Sequence, residues 1–227
     1  MIVPAMTPGT FVSKGQTYKI TVNGTPATTG KSPVVMFIHG NFGLGPPYGA
    51  QIGGFATDLN RLGYVTAVPQ YYTDDAPHLM DTTPHVQTLA DAVAFVTARP
   101  DADPTRVGLI GFSLGGATAM SYIASQPPDA VKALADFFGF LTDEIRREVT
   151  KFPPAILFHN KNDQIVPVTH SRELDRLLPA VIEHRLVEYD EHWQQVNHAF
   201  QPGGAADVDS RAQATKWFLA HLPPTVR

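Results

Sequence analysis

The hexapeptide Gly111-Phe112-Ser113-Leu114-Gly115-Gly116 sets a serine among glycines, directly after the apolar run Val107–Ile110 and before Ala117-Thr118-Ala119-Met120. In a strand–turn–helix context, a Gly-x-Ser-x-Gly pattern holds a nucleophile on a sharp turn with its hydroxyl at a helix N-terminus, where an alkoxide is favoured. The glycines are required because strand and helix approach too closely for a Cβ. The bland alternative is a tight turn or a phosphate cradle, and the segment has no lysine of the kind a phosphate loop carries.

A serine hydroxyl is a weak nucleophile without a base, and the base needs an orienting carboxylate. Both follow later in the chain. The polar loop His159-Asn160-Lys161-Asn162-Asp163-Gln164-Ile165-Val166-Pro167 comes after the apolar run Ala155–Phe158, at the carboxyl end of a predicted strand, where open α/β sheets gather ligand-facing groups. Asp163 is the candidate acid, with Asp190 and Glu191 as rivals and an Asx-type turn as its structural alternative. Asn197-His198-Ala199-Phe200 supplies His198 as the candidate base, with His192, six residues earlier, as its rival. His39 and His159 read as strand ends, and His170, His184 and His221 as surface or helix positions. Asp74, Asp75, His78, Asp81 and His85 fall in one segment, but their spacing matches no metal-ligand pattern, so no metal is expected.

Acyl transfer also needs donors where negative charge develops. The amide of Leu114 is one candidate. The second lies in His39-Gly40-Asn41-Phe42-Gly43, directly after the run Val34–Ile38, with Asn41 as first choice and Phe42 as second; the alternative is a plain glycine-loosened connection. Phe42, Leu44, Tyr48, Tyr71, Tyr72, Phe138, Phe140 and Trp193 are candidate walls of a substrate pocket, against the alternative that such residues pack the core.

Positioning these groups requires a sheet. Tyr18–Val22, Val34–Ile38, Tyr64–Val68, Val107–Ile110, Val131–Phe137, Ala155–Phe158 and Leu186–Tyr189 read as strands, the first as a half-exposed edge. Apolar residues at helical spacing lie between them: Ile52, Phe55, Leu59 and Leu62; then Val86, Leu89, Ala90, Val93 and Val96; and finally Ala214, Trp217, Phe218 and Leu222. The alternation predicts α/β architecture, a mostly parallel sheet with crossover helices, in one domain over residues 1–227. The segments 41–48 and 70–83 are the long loops of this reading, and such loops commonly wall a site.

Composition narrows the function classes. The 227 residues are 43% hydrophobic and 17% charged, which excludes a disordered chain. A net charge of −4 without a basic run argues against nucleic-acid partners. With no cysteine there is no disulfide, thiolate metal site or cysteine nucleophile. Neither a signal peptide nor an apolar membrane span is visible, so the expectation is a cytoplasmic protein without membrane association.

HGNFG, GFSLGG, NKNDQIVP and NHAF, in this order, resemble the α/β-hydrolase superfamily over roughly residues 18–222. The short length, the absence of room for a lid between Phe137 and Pro153, and the NHAF ending are similar to the dienelactone hydrolase family. That family has cysteine in place of Ser113 and glutamate in place of Gly40 when the loops are aligned on Phe42-Gly43. It also has substrate-binding arginines where this chain reads Tyr71–Pro77 and Phe200–Gly203, neither of which contains arginine. The resemblance implies a lidless, cofactor-free serine carboxylesterase for small esters, with Ser113, His198 and Asp163 as a triad. Lactone, C–C or peptide hydrolysis on the same fold, and non-enzymatic binding of a small molecule, are the alternatives.

Overall fold

Alternation along the strand β3 (Ser32–Ile38) sends Val34, Met36 and Ile38 to one face of a sheet and Val35 and Phe37 to the other, and all five are fully buried. A strand apolar on both sides needs helices over both faces, and the computed structural model, which describes residues 7–25, 30–72 and 80–224, has that arrangement. The remaining strands are β1 (Thr7–Ser13), β2 (Gln16–Asn23), β4 (Val65–Pro69), β5 (Ala102–Phe112), β6 (Ala133–Phe137), β7 (Ala155–Asn160) and β8 (His184–Tyr189). The helices are α1 (Tyr48–Arg61), α2 (Thr83–Thr97), α3 (Leu114–Ser125), α4 (Asp143–Arg147), α5 (Thr169–Leu177) and α6 (Ala205–His221).

The sheet order is β1-β2-β4-β3-β5-β6-β7-β8; β1–β2 and β2–β4 pair antiparallel and every other neighbouring pair is parallel. This is the α/β-hydrolase fold. Ile52, Phe55 and Leu59 of α1 join Ala214, Trp217 and Phe218 of α6 on one face. Leu89, Val93 and Val96 of α2 join Met120 of α3, Ile145 of α4 and Leu174 of α5 on the other. Between Phe137 and Pro153 only the short α4 and one 3-10 turn intervene, so no lid domain stands there.

Three expectations need correction. The predicted edge strand around Tyr18–Val22 is second in the sheet, because β1, whose Pro8 and Gly9 hide its strand character, pairs outside it. Leu62 lies just past α1 and is largely exposed, so it does not extend that helix's buried stripe. The segment predicted from Val131 becomes strand only at Ala133. Asp74, Asp75 and His78 lie outside the described residues. Among those described, no three acidic or histidine side chains converge as metal ligands, and no helix is long and apolar enough to cross a membrane.

Helix α6 rests directly on β5. A Cβ at Gly108 would lie 2.5 Å from the Phe218 ring and 2.9 Å from Leu222, so glycine is what lets these side chains seat on the strand. Phe218→Ala should cost about 3–5 kcal/mol of unfolding free energy, the range for a fully buried aromatic, whereas Leu62→Ala should stay within about 0.5 kcal/mol. Urea melts of the two variants check this.

Candidate active site

Ser113 sits between β5 and α3 with φ 54° and ψ −120°, a conformation costing on the order of 1–3 kcal/mol for a non-glycine residue. Packing imposes it. A Cβ at Gly115 would fall 2.1 Å from the Ile38 carbonyl oxygen, and one at Gly111 would fall 2.5 Å from Gly116 Cα, so the helix start is wedged against β3 and β5. The Ser113 amide donates to Phe137 O at 2.8 Å, and Thr118 Oγ1 donates to Leu114 O at 2.8 Å. The serine thus stands on a turn fixed by both neighbouring strands.

Across the carboxyl edge of the sheet, His198 Nε2 lies 2.7 Å from Ser113 Oγ, and His198 Nδ1 lies 2.7 Å from Asp163 Oδ2. Asp163 Oδ1 accepts the amides of Ile165 at 2.8 Å and Val166 at 2.9 Å, which fixes the carboxylate at the end of β7. Burial pushes the Asp163 carboxyl up, but the N–H groups of His159, His198 and Val166 more than offset that and hold it below the usual carboxylate range. An ionised acid therefore faces the histidine.

The loop carrying His198 is tied to the acid's strand. Asn160 Nδ2 donates to Asn197 O at 3.1 Å, the Gln164 amide donates to Val196 O at 2.9 Å, and Asn197, at φ 51°, accepts the Trp193 amide at 3.0 Å. The Phe138 ring meets the His198 ring edge-on at 5.2 Å. The rivals are engaged elsewhere. His192 is mostly exposed and 3.8 Å from Asp190, Asp190 accepts Asn162 Nδ2 at 2.6 Å, and Glu191 accepts the Gln201 amide at 3.1 Å.

A cleft of about 330 Å³ opens over the serine. Tyr48, Phe138 and Phe140 line it, as do Gly40, Asn41, Phe42 and Leu114, together with Phe112, Phe137 and Ile52, which the sequence reading did not assign to it. Leu44, Tyr71, Tyr72 and Trp193, read from the sequence as candidate walls, are not among its lining residues. Tyr71 is buried, with its hydroxyl donating to His39 O at 2.7 Å, and the Tyr72 hydroxyl donates to Gly40 O at 2.8 Å and accepts the Gly43 amide at 3.1 Å. Both brace the His39–Gly43 loop from behind. Trp193 packs edge-on against Tyr48 at 6.2 Å, and Leu44 packs with the α1–α6 side of the core. The carboxylate in the lining, Asp207, already accepts Gln51 Nε2 at 2.8 Å and the Gly203 amide at 2.8 Å. No lysine or arginine lines the cleft among the described residues.

The sheet, the strained serine and the hydrogen-bonded Ser–His–Asp constellation define an α/β hydrolase. The sequence pattern of the dienelactone hydrolase family matches residues 20–221, and the chain belongs to that family. A putative carboxymethylenebutenolidase from Synechocystis sp. is 24% identical over 226 residues, covering 85% of each chain. The crystal structure of a dienelactone hydrolase from Anabaena variabilis is 20% identical, with a TM-score of 0.75 over 97% of this chain and 100% of that one. A propionate-bound esterase from Thermogutta terrifontis is 16% identical, with a TM-score of 0.78 over 100% of this chain and 98% of that one.

One buried group beneath the site was not foreseen. Asp136 on β6 is 1% exposed; Oδ2 accepts the Gly139 amide at 3.2 Å, and Oδ1 has no hydrogen-bond partner among the described residues. Burial pushes its carboxyl up to about 7, against smaller lowering effects of His159 and the Gly139 amide. With the folded value above the unfolded one, the protonated acid contributes stability in full below the ordinary carboxylate range, and that contribution is lost as pH rises through about 7. Asp136→Asn should therefore gain on the parent by a few kcal/mol between pH 5 and pH 8.5. Urea melts of both proteins at the two pH values measure the gap, and a constant gap would show that Asp136 does not titrate across this window.

Proposed function

We propose that the protein is a serine carboxylesterase that hydrolyses small, uncharged esters with short- to medium-chain acyl or aryl groups. The observation that carries this reading is the pair of 2.7 Å contacts linking Ser113 Oγ, His198 and Asp163 at the floor of an apolar cleft. Ser113 Oγ attacks the ester carbonyl as its proton passes to His198 Nε2, while Asp163 holds Nδ1–H and stabilises the imidazolium. His198 then protonates the leaving alcohol, and an acyl-serine remains. Water, deprotonated by His198, attacks the acyl carbon, and release of the carboxylic acid returns the proton to Ser113.

Two amides suit the developing oxyanion. Leu114 is the first residue of α3, so its N–H has no partner within the helix and lies at the positive end of the helix dipole. For the second donor, the Gly40 carbonyl faces the Tyr72 hydroxyl, the Gly43 amide at 3.0 Å and His39 Nδ1 at 2.9 Å. In a trans peptide the next N–H points opposite to its carbonyl. The Asn41 amide is thereby directed away from Tyr72, which is outside the cleft, and this favours Asn41 over Phe42 as the second donor. Lactone hydrolysis, suggested by the names of the relatives, uses the same steps on a cyclic ester, and an apolar lining without arginine favours a neutral one.

Purified protein should turn over p-nitrophenyl acetate to octanoate and label with a fluorophosphonate. Ser113→Ala should lose both, and His198→Ala should lose at least about 10³-fold in kcat. Retained hydrolysis by folded Ser113→Ala would overturn the reading. A more selective variant is Tyr72→Phe, which removes the brace behind Gly40 but touches no substrate. It should lower kcat about tenfold with little change in KM, because a donor used in the transition state is displaced while the apolar wall stays. Steady-state kinetics on p-nitrophenyl butyrate separate the two parameters.

A further inference from the structure

His159 near the end of β7 has a fully buried side chain and takes no part in the steps above. Its Nε2 lies 2.8 Å from the Val166 carbonyl oxygen, and its Nδ1 lies 2.7 Å from Ser171 Oγ. A carbonyl oxygen carries no proton, so the hydrogen between ring and carbonyl belongs to Nε2. In the neutral ring Nδ1 is then the acceptor of the Ser171 hydroxyl. These two bonds fix both the tautomer and the plane of the imidazole.

The same Nε2 lies 3.4 Å from Asp163 Oδ2, the oxygen that receives His198 Nδ1 at 2.7 Å. That is too long for a full second hydrogen bond, yet the N–H dipole acts across it on a carboxylate whose side chain has no solvent exposure. One carboxylate oxygen therefore stands between two imidazoles, one catalytic in the proposed mechanism and one locked by its surroundings. Val166 completes the linkage, since its amide donates to Asp163 Oδ1 and its carbonyl accepts from His159.

We propose that His159 is a positioning residue of the triad, whose Nε2–H, anchored on the Val166 carbonyl, fixes the Asp163 carboxylate and tempers the charge it presents to His198. The inference rests on the serine-hydrolase reading above. The groups facing His159 are Asp136 from β6, Asp163 from its own loop, His170 and Ser171 from α5, and Glu188 from β8. Of these, Asp163 is the one hydrogen-bonded to His198. Without the His159 N–H, more of the carboxylate's charge acts on His198, its imidazolium is stabilised, and the base stays protonated to higher pH.

The test is the pH profile of kcat/KM on p-nitrophenyl butyrate for His159→Leu, His159→Asn, His159→Gln and Ser171→Ala, with Ser113→Ala alongside. His159→Leu and His159→Asn should move the acid limb up by about 0.5–1 pH unit, which adds a three- to tenfold loss at pH 6 beyond any loss on the plateau. His159→Gln, whose amide nitrogen reaches the position of Nε2, should return the limb to that of the parent. Ser171→Ala, which keeps the Nε2–H, should leave the limb in place. If His159→Leu does not fold, the Asn and Gln variants decide, because they differ only in the reach of one amide. A limb that coincides in all folded variants would show that His159 only packs, whatever their plateau rates. Undiminished turnover by folded Ser113→Ala would instead overturn the triad on which the inference rests.

Discussion

The backbone of Ser113, held at a positive φ, is the constraint on which the rest of the site depends. Left to itself, a serine would relax to negative φ and swing its hydroxyl away from His198. What prevents this is the close seating of α3 on the sheet. Gly115 lies so near the carbonyl oxygens of Ile38 and His39 that no Cβ fits, and Gly111 lies equally close to Gly116. The packing of a whole helix against two central strands thus bears the strain of one residue. In return, the hydroxyl is held in one place, which is the condition for the proposed nucleophile to spend no binding energy on its own alignment.

The parallel sheet solves a second problem. Ser113, Asp163 and His198 follow β5, β7 and β8, so residues far apart in sequence leave strands that all end on the same edge. Strand order alone brings the loops within reach of one another, and one side-chain amide and one backbone amide then set the distances. Asn160 links the end of β7 to the loop before His198, and the Gln164 amide adds a second tie through Val196. Asp163 and His198 are therefore positioned as one unit, while the serine is positioned by the turn between β5 and α3. The two are hydrogen-bonded through Ser113 Oγ and His198 Nε2, 2.7 Å apart.

Most of this was legible because each motif demands a particular backbone. A glycine-flanked serine after an apolar run has few structural solutions, and the order of serine, acid and histidine follows from strand order. Other features were hidden for physical reasons. An aromatic residue type gives no direction, so Tyr71 and Tyr72 read as pocket walls although their hydroxyls face the back of the His39–Gly43 loop. A strand carrying Pro8 and Gly9 gives no alternation signal, and β1 was missed accordingly. His159 and Asp136 lie within apolar strand segments, where sequence shows a polar residue but not what buries it.

Gly40 ties the loop geometry to the identity of the proposed nucleophile. A Cβ at this position would lie 3.2 Å from Ser113 Cβ and 3.8 Å from Ser113 Oγ, so any longer side chain here would start alongside the hydroxyl. The family resemblance places a glutamate at this point, opposite a cysteine. Next to a serine, a carboxylate would be a second acceptor for the hydroxyl proton, competing with His198 and placing negative charge where the oxyanion must form. Glycine removes that competitor and leaves Ser113 Oγ directed at one base 2.7 Å away. The exchange of cysteine for serine and of glutamate for glycine is thus one chemical change rather than two, because a hydroxyl gives up its proton far less readily than a thiol. In the proposed mechanism a serine nucleophile needs an undivided hydrogen bond to its base, and the bare backbone at Gly40 leaves room for one.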